Sequence, residues 1–162
     1  MTVINKHITV LSLVVLVCWT ACYLQMDIAK IKGFYAPVSI IPDGHHVDYA
    51  ALRIAKQVMK ERLFVITDAV TETGKGYYPH ELAGDKYEAS GILSGSALTM
   101  GKAVQNLVHH AGISPEEALR MCSLYPARVV GLEKESGKIA EGYKATMVVM
   151  DEKMDVKKLL NT

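Results

Sequence analysis

The segment 62–67 is a nearly continuous apolar run that leads directly to the carboxylate of Asp68. A run of this length is typical of a strand buried on both faces, as in the parallel sheets of α/β proteins. In such sheets the ligands bind outside the carboxyl ends of the strands. An isolated Asp at the end of a strand can instead stabilise the following turn, so the neighbouring segments decide between the two roles.

A strand and a helix precede this run. Residues 38–41 are a short apolar stretch, and residues 42–48 form a loop with two adjacent histidines. Residues 49–60 have apolar side chains at helical spacing. Strand, loop, helix and strand in this order predict a βαβ unit. Because its crossover is right-handed, both loops lie at one edge of the sheet, so we expect His46 to lie close to Asp68. Such a pair suits proton transfer or binding of a polar substrate.

Several phrases of the sequence, in this order and spacing, are similar to the carboxyl-terminal half of the N-acetylglucosamine-6-phosphate deacetylase family of the amidohydrolase superfamily. The phrases are SIIPDGHHVDYAALRIAK, RLFVITDAV, GILSGSALTM, AVQNLV and EALRMCSLYPARVVGL. The resemblance covers roughly residues 28–160, and its several independent motifs are more specific than any single pattern. It implies a metal-dependent enzyme that hydrolyses N-acetylglucosamine 6-phosphate to glucosamine 6-phosphate and acetate in amino-sugar catabolism.

The resemblance implies an α/β fold. It would be the carboxyl-terminal part of a (β/α)8 TIM-type barrel, with its last two βα units and the following helices, plus strands of a small β-sandwich. Residues 1–26 form an apolar leader-like segment outside the resemblance, residues 27–135 the partial barrel and residues 136–162 the return to the β-sandwich. Because a complete barrel takes about 250 residues, we expect the barrel of this chain to be incomplete.

Site residues also follow from the resemblance. Asp68 corresponds to the general base that activates a metal-bound water and then passes the proton to the departing nitrogen. Contacts with the sugar phosphate are implied for Asp43, Gly44, His45, His46, Leu93, Ser94 and Gly95. Of the two histidines, His46 matches the family motif, and the role of His45 stays open. From the residues alone, the first loop can equally be a solvated loop. Segment 91–96 can be a turn that caps the helix beginning near Leu98, and this role is compatible with a ligand contact because a helix start offers free N–H groups.

The segment 71–90 contains three Gly, one Pro and mixed charge, and it predicts a loop or hairpin over the barrel mouth. Such lids are commonly mobile, and His80 within it receives no role. Downstream, the sequence predicts a helix over residues 100–111 and a second helix capped by Ser114, both with a structural role. His109 and His110 lie at a helix end, where a structural role is favoured over metal binding.

The metal ligands present a difficulty for activity. The resemblance implies a divalent metal of the zinc or iron class, held by a Glu and two His, and a further His that polarises the acetyl carbonyl. These residues belong to the family's amino-terminal half, which this sequence does not resemble. We therefore expect the chain alone to lack a metal site and to have little or no deacetylase activity.

Residues 8–26 contain no charged side chain and follow Lys6 and His7. This pattern is typical of a signal peptide or a marginal transmembrane helix, and a remnant of a truncated gene is the interpretation we favour. Two functions stay open. One is the carboxyl-terminal part of a cytoplasmic, homodimeric deacetylase, and the other is a non-catalytic sugar-phosphate-binding module tethered to a membrane through residues 8–26.

Composition excludes other classes of function. The 18 basic and 17 acidic residues leave a net charge of +1, which provides no electrostatic footprint for nucleic acid. Three cysteines are too few and too unevenly spaced for a disulfide framework. The low cysteine count favours a reducing compartment. The resemblance implies a small sugar phosphate as the partner.

Overall fold

The computed structural model describes residues 36–74 and 79–160. A 3-10 turn, Lys60–Arg62, joins the first helix to the second strand. The helices and strands in chain order are β1 (Val38–Ile40), α1 (Tyr49–Met59), β2 (Leu63–Val65), β3 (Glu81–Ala83), β4 (Lys86–Ala89), β5 (Ile92–Ser96), α2 (Met100–His109), α3 (Pro115–Cys122), α4 (Leu124–Val129), β6 (Met147–Met150) and β7 (Val156–Leu160).

The predicted βαβ unit is confirmed. Strands β1 and β2 pair in parallel, with Ile40 opposite Val65, and α1 connects them. The helix begins after Asp48, whose side chain accepts a hydrogen bond from the Ala50 N–H at 2.7 Å. This bond satisfies one of the free donors of the first turn. Both strands are shorter than predicted: β1 ends at Ile40, and β2 begins only after the 3-10 turn and ends at Val65.

The segment 71–90 contains the predicted hairpin, formed by β3 and β4. The prediction that residues 91–96 form a turn was wrong, because Ile92–Ser96 is a strand that pairs antiparallel with β4. The cap of α2 is Thr99, whose side-chain oxygen accepts from the Lys102 N–H at 3.2 Å. The small residues of β5 thus form the edge of a three-stranded sheet that leads into the helix.

The apolar core lies between the parallel strands and the helices. Leu52 of α1 and Leu107 of α2 are completely buried, and Leu63 and Val65 of β2 are 1% exposed. Burial of both outer residues of β2 fits the two-sided burial that its apolar sequence predicts. The core therefore fixes the end of β2, from which Asp68 follows.

The downstream helices follow the prediction. Ser114 caps α3 and Pro115 occupies its first turn, as the sequence indicates. The break between α3 and α4 falls at Ser123, and Tyr125 lies within α4. Strands β6 and β7 form an antiparallel pair, which confirms that the segment 136–162 contains strands. Their membership of a β-sandwich stays a prediction.

Membrane crossing was one interpretation of the amino-terminal sequence. Within residues 36–74 and 79–160, no helix combines the length and the apolar character that a bilayer crossing requires. The predicted leader at residues 1–26 lies outside the described residues, and the domain boundaries predicted at 26 and 135 stay predictions.

Glu117 links three elements of the helical layer. Its carboxylate pairs with Lys56 of α1, accepts from Arg120 Nε at 2.8 Å and accepts from the Tyr125 hydroxyl at 2.9 Å. Burial alone would raise the pKa of Glu117, but the hydrogen bonds from Lys56, Arg120 and Tyr125 outweigh it and lower that pKa. The ionised carboxylate therefore stabilises the fold.

We expect Glu117→Gln to lower the free energy of unfolding by about 1–3 kcal/mol at neutral pH, because hydrogen bonds to a charged group are lost. Since the folded-state pKa lies below the usual value of 4.5, this stabilisation is present above pH 4.5 and disappears as the pH falls through the folded-state pKa. Urea unfolding at several pH values measures the effect.

The matched control is Glu116→Gln, which changes the adjacent, exposed acid of the same helical turn. Its effect on unfolding at neutral pH should be clearly smaller than that of Glu117→Gln. Equal losses from the two substitutions would contradict a specific role for the Glu117 contacts.

Candidate functional site

The candidate site lies at the carboxyl ends of β1 and β2, where a loop and a single residue bring polar side chains together. Residues 42–48 follow β1 and contain Asp43, His45 and His46. Asp68 follows β2, after Ile66 and Thr67. Parallel pairing of the two strands places both segments at one edge of the sheet.

Asp43 organises the first loop. Its Oδ1 accepts the backbone N–H groups of His45 and His46, each at 2.9 Å. Its Oδ2 lies 2.6 Å from His46 Nδ1. Burial opposes ionisation of Asp43, but the hydrogen bonds from the His46 side chain and from the two backbone groups prevail and lower its pKa. Asp43 is therefore a carboxylate near neutral pH.

His46 and Asp68 meet as the sequence predicted. His46 Nε2 lies 3.4 Å from Asp68 Oδ2, a separation longer than a good hydrogen bond. The side chain of Asp68 is 51% exposed, that of His46 20% and that of Asp43 only 3%. Asp68 is therefore open to a substrate, whereas Asp43 faces the protein.

The backbone of Asp68 is held by the end of β5. Ser96 donates its backbone N–H to the Asp68 carbonyl at 3.0 Å, and its own carbonyl accepts the N–H of Val70 at 3.2 Å. The Ser96 hydroxyl also donates to the carbonyl of Thr67. Asp68 has a φ of 52°, in the left-handed region that Asp tolerates better than most residues. These bonds stabilise that conformation.

Two glycines of the predicted site are required by close packing. Gly44 has a φ of +80°, and a Cβ there would lie 2.9 Å from the Tyr49 ring. At Gly95 a Cβ would lie 2.7 Å from a methyl group of Val70. Val70 follows Asp68 by two residues, so the bare backbone of Gly95 lets the chain after Asp68 pack against β5.

We expect Gly95→Ala to destabilise the protein by about 1–3 kcal/mol, because the added methyl group overpacks against Val70. The double substitution Gly95→Ala with Val70→Ala should recover part of that loss, since the contact is then relieved. Thermal or urea unfolding of the three variants measures the coupling. Strictly additive effects would contradict the close contact.

His45 faces the hairpin. Its Nε2 lies 2.8 Å from Asp85 Oδ1, and Asp85 belongs to the turn between β3 and β4. The hydrogen bond with His45 is the main cause that lowers the pKa of Asp85. This pair joins the first loop to the hairpin tip, a contact that sequence reasoning missed because the two residues are 40 positions apart.

The second predicted segment lies along β5. Leu93 pairs with Glu88 of β4, and Ser94 Oγ lies 2.9 Å from His80 Nδ1. The residue of this strand that contacts the backbone around Asp68 is Ser96. Sequence reasoning left Ser96 and His80 out, although Ser96 belongs to the same Gly and Ser-rich phrase and is fully buried.

The described residues do not fit the divalent metal that the resemblance implies. Across residues 36–74 and 79–160, no three His, Cys, Asp or Glu side chains gather as a ligand set.

Comparison with known proteins identifies the family of this chain. The model of the family described as "Amidohydrolase family" matches residues 17–161, which is most of the chain. The chain belongs to the amidohydrolase family. The match begins inside the apolar segment 8–26, upstream of the region that the sequence phrases cover.

Particular relatives are sugar-phosphate deacetylases by name. A putative N-acetylgalactosamine-6-phosphate deacetylase of Escherichia coli K12 is 35% identical over 75% of this chain and 78% of its own length. The structure of N-acetylglucosamine-6-phosphate deacetylase from Pasteurella multocida is similar with a TM-score of 0.73 and 32% identity, over 77% of this chain and 35% of that chain.

A second similar structure contains a ligand. It is an aspartate-to-alanine mutant of the Mycobacterium smegmatis deacetylase in complex with N-acetyl-D-glucosamine-6-phosphate, with a TM-score of 0.66 and 29% identity, over 77% of this chain and 36% of that chain. The chain spans about a third of the length of several other curated relatives.

Proposed function

We propose that this chain contributes the carboxyl-terminal part of the catalytic site of a deacetylase that acts on an N-acetylated amino-sugar 6-phosphate. The observation that carries this proposal is the half-exposed carboxylate of Asp68 at the end of a buried parallel strand, with His46 Nε2 at 3.4 Å. The names of the similar proteins support the substrate class.

In the proposed reaction Asp68 moves one proton. As the oxygen of water bonds to the acetyl carbon, Asp68 accepts a proton from that water. As the bond between carbon and nitrogen breaks, Asp68 returns this proton to the nitrogen, so that the amino sugar and acetate leave. General acid and base catalysis by one positioned carboxylate is worth a large rate factor. The open side of Asp68 provides room for the acetyl group.

Two segments are proposed to hold the sugar phosphate. His46 presents an imidazole beside Asp68, and its Nε2 can accept a hydrogen bond from a hydroxyl group of the sugar phosphate. Gly44 exposes its backbone, and β5 brings Leu93, Ser94 and Gly95 toward the same edge through the bonds of Ser96. In this proposal His45 pairs with the hairpin and has no direct contact with substrate.

The proposal extends to the complete enzyme, on the ground of the similarity to the named deacetylases. Strands β1 and β2 would be the last two strands of a (β/α)8 barrel, and β6 and β7 would belong to its β-sandwich. A divalent metal of the zinc or iron class would take its ligands from outside the described residues. The complete enzyme would be a cytoplasmic homodimer, and the chain alone would have little or no activity.

A binding and complementation experiment tests the proposed function. The full chain is titrated by calorimetry with N-acetylglucosamine 6-phosphate, N-acetylgalactosamine 6-phosphate and unphosphorylated N-acetylglucosamine. Acetate release is then measured for the chain with zinc, alone and co-expressed with the amino-terminal region of the Pasteurella multocida deacetylase that it does not match. We expect phosphate-dependent binding, and acetate release from the co-expressed pair.

The two measurements test the binding part and the catalytic part of the proposed function separately. Binding of a phosphorylated sugar with a preference between the two epimers would also identify the natural sugar. A chain that binds neither sugar phosphate and gives no acetate in the co-expressed pair would overturn the proposal.

A further inference from the structure

We propose that Asp43 is a positioning residue, not a substrate contact. It fixes His46 in the tautomer with its proton on Nδ1, so that Nε2 faces Asp68 and can hold the proton that Asp68 collects. This inference rests on the proposed function for its catalytic meaning, but its geometry is a property of the chain without substrate. It replaces the role in sugar-phosphate contact that the resemblance implies for Asp43.

The first argument is that both oxygens of Asp43 are occupied. Oδ1 accepts two backbone N–H groups, those of His45 and His46, and Oδ2 lies 2.6 Å from His46 Nδ1. The side chain is only 3% exposed. A substrate hydroxyl or phosphate could reach this carboxylate only after the loop had opened, and a phosphate would also meet charge repulsion.

The second argument concerns the proton on the ring. A carboxylate has only acceptor sites, so a ring nitrogen 2.6 Å away must carry a hydrogen. The neutral imidazole then has its lone pair on Nε2. A carboxylate that accepts one ring N–H and thereby sets the tautomer is the usual device for orienting a functional His. The Asp43 contact therefore determines what Nε2 can do.

The third argument is that Asp43 is itself held in place. The buried side chain of Asn106 donates from Nδ2 to the carbonyl of Pro42 at 2.8 Å, just before Asp43. On the other side, Gly44 turns the chain with a positive φ against the Tyr49 ring. The carboxylate thus sits between two fixed neighbours, which limits the movement of His46.

In this tautomer His46 Nε2 can accept a proton from Asp68. It is 3.4 Å from Asp68 Oδ2, so a small approach brings the two groups to hydrogen-bond distance. When Asp68 has taken a proton from water, that proton can pass to Nε2, which leaves Asp68 ionised and His46 as an imidazolium between two carboxylates. The reverse transfer returns the proton to Asp68 for the departing nitrogen. The step neither consumes nor requires another reactant.

The experiment reads the tautomer directly. The full chain, labelled with 15N at histidine, is studied by long-range 1H–15N correlation NMR near neutral pH, and His46→Gln assigns the His46 signals. We expect the Nδ1 resonance of His46 at the shift of a protonated nitrogen and Nε2 at that of an unprotonated one. In Asp43→Asn we expect this separation to diminish, because an amide can also donate to Nδ1.

The control is Asp85→Asn, which removes a carboxylate at a similar distance, 2.8 Å, from the adjacent His45. It should change the signals of His45 and leave the His46 pattern intact. A wild-type His46 with its proton on Nε2, or an unchanged His46 pattern in folded Asp43→Asn, would overturn the proposal. If Asp43→Asn fails to fold, the wild-type tautomer alone still decides.

A second measurement separates positioning from contact. Binding of N-acetylglucosamine 6-phosphate is compared for Asp43→Asn, His46→Gln and the double variant. If Asp43 acts through His46, the double variant should bind no more weakly than His46→Gln alone. Independent, multiplying losses would show a separate substrate contact and overturn the proposal. The tautomer is measured without ligand, so a chain that binds no sugar phosphate would contradict the proposed function and leave the NMR result valid.

Discussion

Replacing Asp68 with Asn is expected to reduce acetate release by the co-expressed pair about a hundredfold to ten-thousandfold. An amide of nearly the same shape cannot accept a proton from water, and general base catalysis is worth a factor of this size. Because the side chain is half exposed and Ser96 holds its backbone, the fold and sugar-phosphate binding should change little. Initial rates of acetate release together with calorimetric binding measure both parts of the expectation.

The matched control is Asp48→Asn. Asp48 ends the loop that follows β1 and caps α1 through its side chain, and Asn is as good a cap as Asp. Acetate release should therefore stay close to that of the unmodified chain. Release that survives Asp68→Asn within a factor of about ten would show that another group activates the water.

Leu52→Ala is expected to lower the free energy of unfolding by about 2–5 kcal/mol, through lost burial and the cavity that remains. Leu52 is completely buried, and it is the residue that α1 contributes to the core beside Leu63 and Val65. The loss would weaken the packing of the helix that joins the two site-bearing strands. Urea unfolding followed by circular dichroism provides the measurement.

Ile54 supplies the control on the same helix. It is 63% exposed, so Ile54→Ala should cost less than about 0.5 kcal/mol, as exposed substitutions usually do. Similar losses for the two variants would mean that Ile54 is covered in solution, and that the exposed face of α1 meets another surface.

The sequence predicted the closeness of His46 and Asp68 better than it predicted strand β5. Right-handed crossover alone brings the loop after β1 beside the loop after β2, so the meeting of His46 and Asp68 depended only on a correct βαβ assignment. Apolar periodicity was strong enough for that assignment. The same reasoning placed Ser114 at the start of α3, because a cap acts on its own helical turn.

Strand β5 could not be predicted in this way. Its sequence contains Gly95 and two serines, which have low strand propensity, and pairing with β4 determines its conformation. The contact between His45 and Asp85 and the bonds of Ser96 join residues far apart in sequence, and no local pattern encodes them. Nor does sequence show whether a loop carboxylate such as Asp43 faces the solvent or its own loop.

The three hydrogen bonds between Ser96 and residues 67–70 have a consequence for how sugar preference could change. They join one end of β5 to the backbone on both sides of Asp68, so the position of the strand relative to the carboxylate is fixed. Side chains at positions 92–94 can vary without changing that relative position. An altered fit to a different epimer would then leave the proton-transfer group where it was, and new specificity could arise by single substitutions along this strand.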